Sequence, residues 1–132
     1  MSGRGRAISA ALLTAATLAT ATAGHAQGTA SQQALAAAGA AAFQNGLGCA
    51  NCHFKDSPDA PPLEGVAGHN IASRPGYLYS AALKAKPGAW TDASLDAFLA
   101  DPQGFAPGTG MDAAVEDPQQ RREVIAYLKT LK

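Results

Sequence analysis

The sequence predicts an all-α domain, and three observations carry that reading. Beyond Ala26 the only β-branched aliphatic residues are Val66, Ile71, Val115, Val124 and Ile125, too few to build a sheet. Alanine, the strongest helix former, dominates the same stretch. Helix punctuation is also present: Thr91 and Asp117 are capping residues, and Pro118 suits a first helical position. At 132 residues the chain has room for one domain. Only 6% of it is aromatic, so its own side chains make a thin core, one that a buried flat cofactor would fill.

The first segment reads as a leader. Arg4 and Arg6 form a basic start, Ala7 to Ala23 is uncharged and apolar, and Gly24-His25-Ala26 supplies small residues where a signal peptidase reads. The expected boundaries are a signal peptide over 1–26 and a mature domain over 27–132, with cleavage after Ala23 the runner-up. A retained membrane anchor is the alternative, but the apolar stretch is short and rich in Thr and Ala for a spanning helix of about 20 residues. Without Arg4 and Arg6, eight basic residues face ten acidic ones, a formal charge of −2. That balance, with no basic patch, excludes nucleic-acid binding.

The elements follow in order. Gln27 to Ala30 reads as a frayed end, and Ser31 to Asn45 as an alanine-rich helix carrying Leu35 and Phe43. Gly46, Leu47 and Gly48 break it. Asp56 to Pro62 holds three prolines and is a loop. Gly65, Gly68 and Gly76 keep the chain irregular as far as Tyr77. A short helix is expected over Tyr79 to Lys86, ended by Pro87-Gly88. Thr91 caps a helix through Ala100 with Leu95, Phe98 and Leu99 on one side. Pro102 stops it, because the residue before a proline is pushed out of the α region. Pro107-Gly108-Thr109-Gly110-Met111 is a loop. The last helix starts at Asp117, with Gln120 placed for a capping box, and runs on Val124, Ile125, Leu128 and Leu131. Lys129 and Lys132 lie near the negative end of its dipole.

The chemistry is concentrated in Cys49-Ala50-Asn51-Cys52-His53, which contains both cysteines of the chain. C-x-x-C-H is the attachment signature of a c-type haem. Two thiols on one turn can each add to a vinyl group on one porphyrin edge, and His53 then reaches the iron. The alternatives are a thioredoxin-like pair, half a zinc site or a small disulfide. Zinc would need two more soft ligands, and no other cysteine exists. A thioredoxin-like pair would need βαβ units, against the composition. Export agrees with this reading, because haem of this type is joined to the unfolded chain after translocation. It also removes His25 as a ligand. Met111 is the sole methionine of the expected mature chain. A lone Met is often a core gap-filler, but this one lies in a Gly/Pro-rich loop, and a Met/His pair is a known way to hold haem iron.

From Gly39 to Lys129 the order of motifs resembles class I cytochrome c, specifically the mitochondrial-like branch of bacterial periplasmic cytochromes. The resemblance implies three to five helices wrapped around one covalently bound haem. Gly39-x-x-x-Phe43 is similar to the N-terminal helix motif that crosses the C-terminal helix, and Val124-Ile125-Ala126-Tyr127-Leu128-Lys129 is similar to that terminal helix. Pro61-Pro62-Leu63-Glu64-Gly65 resembles the P-x-L-x-G segment, which implies that the Pro61 carbonyl orients His53. Gly76-Tyr77-Leu78-Tyr79-Ser80 and Trp90 resemble the segments whose Tyr and Trp donate to a buried haem propionate. A core role is the alternative for Tyr79 and Trp90. Pro107-Gly108-Thr109-x-Met111 resembles the Met-ligand loop. His69 occupies the place of an arginine near a propionate, and is either a propionate contact or a solvated loop residue.

Departures from the family pattern are informative. Phe98 stands where a tyrosine usually hydrogen-bonds the Met sulfur. Gln103, Gly104 and Gly110 stand where mitochondrial members carry lysines, and Asp112 and Ala113 where apolar and aromatic residues are common. The lysine collar that steers such carriers to acidic partners is therefore mostly missing. Gly46-Leu47-Gly48 is a small insertion before the haem motif. The resemblance implies a monomeric one-electron carrier in the periplasm with haem c as cofactor, and no catalysis of its own. Its partners would be a quinol-oxidising complex, a dehydrogenase, and an oxidase or reductase. The alternatives are a haem subunit held in an oxidoreductase complex, or an open-site haem enzyme or sensor if Met111 is not a ligand.

Overall fold

A computed structural model describes residues 22–132. Arg4, Arg6 and the apolar run as far as residue 21 lie outside them. Helix α1 spans Thr22–Ala41, so Gln27 to Ala30, expected to fray, lie inside a helix. Alanine explains the difference: a run of strong helix formers propagates once nucleated. No helix among the described residues is long and apolar enough to cross a membrane.

Helix α1 does not reach Asn45 in regular form. It passes into a π-helical turn, Ala42–Gly46, whose end is closed by the Leu47 N–H on the Ala42 carbonyl at 2.8 Å. The wider turn still buries Phe43. Gly48 then adopts φ 70°, a left-handed conformation natural to glycine, and starts the 3₁₀ turn Cys49–Asn51.

The next helices are short. Helix α2 covers only Ala81–Lys84, not Tyr79 to Lys86, because the Ser80 hydroxyl accepts the Leu83 N–H and fixes the start. Helix α3, Asp92–Ala100, has the expected Thr91 cap. Thr91 and Ser94 form a reciprocal capping box that Ser94 makes without a Glu or Gln. Pro102 ends α3 as expected but also opens a one-turn helix, α4, Pro102–Phe105, where a missing N–H is harmless. Helix α5 is Pro118–Leu128. Its expected capping box is not formed: Asp117 accepts the Gln119 N–H, and Leu131 lies beyond the helix end. Lys129 caps the C-terminus and pairs with Asp92 at 2.9 Å. Among the described residues there are five α-helical segments and no strand, only an isolated bridge between Asn70 and Ala89.

The crossing of α1 and α5 organises the domain. A Cβ on Gly39 would collide with the Glu123 carbonyl and come within 2.9 Å of the Tyr127 Cβ, so only glycine allows this approach. One turn along, Phe43 and Tyr127 rings pack 5.4 Å apart. Phe43, Leu95, Leu99, Val115, Val124, Ile125 and Leu128 form the main core. Ile71, Leu83 and Ala106 form a second cluster, and Trp90 packs against both.

Ala72 holds φ 54°, a left-handed conformation that costs an L-residue about 1–2 kcal/mol. Glycine would relieve it but lose a methyl packed on the second cluster and gain unfolded-state freedom. Ala72→Gly is therefore expected to stabilise by up to about 1 kcal/mol. A thermal melt of the holoprotein checks this: the midpoint should rise by a few degrees, and a clear fall would mean the methyl contact outweighs the strain.

Candidate functional site

Local backbone geometry brings the residues expected to bind haem together. The Cys52 and His53 N–H groups both donate to the Cys49 carbonyl, at 3.2 and 2.9 Å. The two thiols and the imidazole thus leave one tight turn, and both cysteines are free rather than bridged. Cys49 is half-buried and packs on the main core, while Cys52 is exposed. Burial pushes the Cys49 thiol up from its usual range, with the backbone hydrogen bond partly offsetting it. No group of three His, Cys, Asp or Glu side chains that could hold a metal forms among the described residues.

His53 Nδ1 lies 2.8 Å from the Pro61 carbonyl oxygen. An acceptor there fixes the proton on Nδ1 and leaves Nε2 as the free lone pair. The Pro61 segment is itself tied down. Gly65, at φ 67°, donates its N–H to the Leu131 carbonyl at 3.1 Å, so the loop rests on the segment that follows α5. Leu63 and Val66 of this loop pack on the main core, as do Cys49, Trp90 and Met111. Cys49 of the attachment turn and Met111 therefore share one apolar cluster, and the oriented imidazole of His53 lines a cavity beside it with Phe43, Ala50 and Leu63. Donors and cluster fit a porphyrin bound at Cys49 and Cys52, which needs an apolar bed and two axial positions.

The loop carrying Met111 is held from both sides. Gln103 bonds residues 108 and 109 before it and 112 after it, and Thr109 is buried. After it, the Val115 N–H donates to the Leu99 carbonyl at 2.8 Å. Arg121 donates to the Val115 and Glu116 carbonyls at 2.8 and 2.9 Å and pairs with Asp96 at 2.7 Å. Sequence reasoning missed Arg121 and the bonding of Gln103. Neither has a local signal, because their partners are backbone groups chosen by tertiary placement.

Tyr79 and Trp90 meet at the second cluster. Burial pushes the Tyr79 hydroxyl up, and the Arg74 N–H and charge only partly offset this. It therefore remains a proton donor at neutral pH. Trp90 also packs tilted against Phe98 and stacks with Phe105, at 5.1 and 5.9 Å between centroids. Phe98, without a hydroxyl, is thus part of an aromatic cluster. His69 is exposed. Its carbonyl accepts the Trp90 N–H at 2.9 Å, but among the described residues its ring makes no hydrogen bond. The ring lies over Gly65, where an added Cβ would come within 3.3 Å of it. Arg74, not singled out from sequence, sits nearer Tyr79, and its guanidinium donates to the Glu64 carbonyl.

Comparison with known proteins agrees with this geometry. A family model described as cytochrome c matches residues 36–132. A cytochrome c homolog of Rickettsia bellii is 47% identical over 87 residues, covering 62% of this chain and 50% of that protein. Cytochrome c of Euglena viridis is 40% identical over 85 residues, covering 61% and 83%. The solved structure of cytochrome cH from Methylobacterium extorquens superposes with a TM-score of 0.65 at 41% identity, covering 72% of this chain and 97% of that one. The chain spans about half the length of these bacterial cytochrome c homologs.

Proposed function

The chain belongs to the cytochrome c family, which binds haem c covalently, and on that premise we propose that it is a one-electron carrier with His53 and Met111 as axial iron ligands. One observation carries the ligand set: the Pro61 carbonyl orients the imidazole of His53 on the same turn as Cys49, and the Met111 side chain packs on the core that Cys49 also borders. The haem supplies a one-electron couple whose potential is raised by a soft thioether and an apolar surround.

Each residue has a defined task. Cys49 and Cys52 tether the cofactor. Pro61 holds the His53 ring so that Nε2 can bind iron. The core around Phe43, Leu95, Leu99 and Val115 excludes water. Tyr79, kept protonated, and Trp90 are positioned to donate to a propionate. His69, exposed, is left as a solvated loop residue with at most an outer contact. Residues held this firmly resist rearrangement on oxidation, as fast electron transfer requires. The compartment proposed is the periplasm, supported by the leader pattern over 1–26. The partners proposed are a quinol-oxidising complex, a dehydrogenase, and an oxidase or reductase, met as a monomer.

Docking should depend little on charge. Gln103, Gly104 and Gly110 carry none, and Lys86 is engaged with the Phe105 ring at 4.6 Å, leaving Lys55 and Lys84 as the exposed remainder of a possible positive patch. Stopped-flow electron transfer with the native partner tests both carrier role and docking. Reversible one-electron exchange is expected, with a rate that changes mildly as salt shortens the Debye length to about 8–10 Å. A steep fall with salt, abolished by reversing charge at Lys55, Lys84 and Lys86, would contradict the docking reading. Turnover of a substrate without a redox partner would contradict the carrier reading.

A further inference from the structure

The residues flanking Met111 are joined by one side chain. Gln103 stands on the exposed face of α4. Its Oε1 accepts the Gly108 N–H at 3.0 Å. Its Nε2 donates to the Thr109 carbonyl at 2.8 Å and to the Asp112 carboxylate at 3.0 Å, with the Met111 carbonyl at 3.4 Å. One amide thus ties positions on both sides of the thioether into a closed ring.

The base of that ring is fixed. Pro102 is buried, and the Asp101 carboxylate accepts the Gly104 N–H at 2.8 Å. A Cβ on Gly104 would press on that carboxylate and make it shift. Phe98 has no hydroxyl to offer the sulfur, so placement of the thioether falls to the loop frame.

We propose that Gln103 is the positioning residue for the Met111 thioether, holding residues 108–112 so that the sulfur stays on the iron against competing ligands. This rests on Met111 being the axial ligand. The chemistry needs an amide. A lysine has donors but no acceptor for the Gly108 N–H, and a glutamate has no donor for Thr109 and meets Asp112 as a like charge. A shorter side chain cannot span the ring.

The test uses ferric holoprotein titrated with imidazole, which competes for the position held by a thioether. Loss of the weak red absorption band that reports Met–iron ligation is the readout. Amide hydrogen exchange at Gly108 is followed in parallel. Gln103→Ala and Gln103→Lys are expected to bind imidazole roughly tenfold more tightly, the loss of about one net hydrogen bond, and to speed exchange at Gly108, while the global urea midpoint moves little. Unchanged imidazole affinity in both variants, with the band present in the parent protein, overturns the inference alone. So does a change in affinity that merely follows a fall in global stability. A parent protein with no red band overturns the Met111 reading, and the inference with it.

Discussion

Gly39→Val should lower the melting temperature of the holoprotein by more than about 10 °C. The new Cβ would collide with the Glu123 backbone carbonyl, and Tyr127 Cβ stands 2.9 Å away. Neither obstacle can rotate aside as the tip of a long side chain could. Helices α1 and α5 must therefore separate, loosening Phe43, Val124, Ile125 and Leu128 together. Overpacking in a core costs about 1–3 kcal/mol and sometimes more, and a backbone obstacle puts this site at the upper end. Each kcal/mol moves the midpoint of a domain this size by about 4–8 °C. Gly39→Ala should show the same defect to a smaller degree. A circular dichroism melt reads the result, and a Gly39→Val midpoint within a few degrees of the parent would show that the helices do not cross at Gly39.

Met111→Ala should cause the largest change in function. On the proposed ligation, removing the sulfur would deprive the ferrous state of its soft donor. The potential is expected to fall by a substantial part of the roughly 0.8 V range that axial ligands command. Folding should be affected far less, since Met111 packs only at the rim of the main core and the loop keeps its Gln103 and Arg121 bonds. Potentiometric titration beside a urea melt separates the two effects. An unmoved potential would assign the sixth position to another group.

What the sequence made legible has a common physical basis: it was local or covalent. The absence of strands followed from side-chain type. The caps at Thr91 and Asp117 and the attachment turn at Cys49–His53 depend on neighbours a few positions away. The Gly39 crossing was legible only through resemblance, because no local pattern shows what a glycine will touch. Errors arose where a neighbour's bond set a boundary. Ser80 shortened α2, Pro102 began a helix as well as ending one, and Asp117 bonded Gln119 so that no box with Gln120 formed. The seat of Lys86 over the Phe105 ring was equally hidden, since tertiary placement sets it. The roles of Gln103 and Arg121 were hidden for the same reason, since both act on carbonyl groups distant in the chain.

The most direct measurement is the visible spectrum of the purified ferric protein at neutral pH. A low-spin spectrum with the weak red band of a thioether–iron bond, lost in Met111→Ala, is the expected result. A high-spin spectrum, or a low-spin spectrum lacking that band, would contradict a six-coordinate carrier held by His53 and Met111.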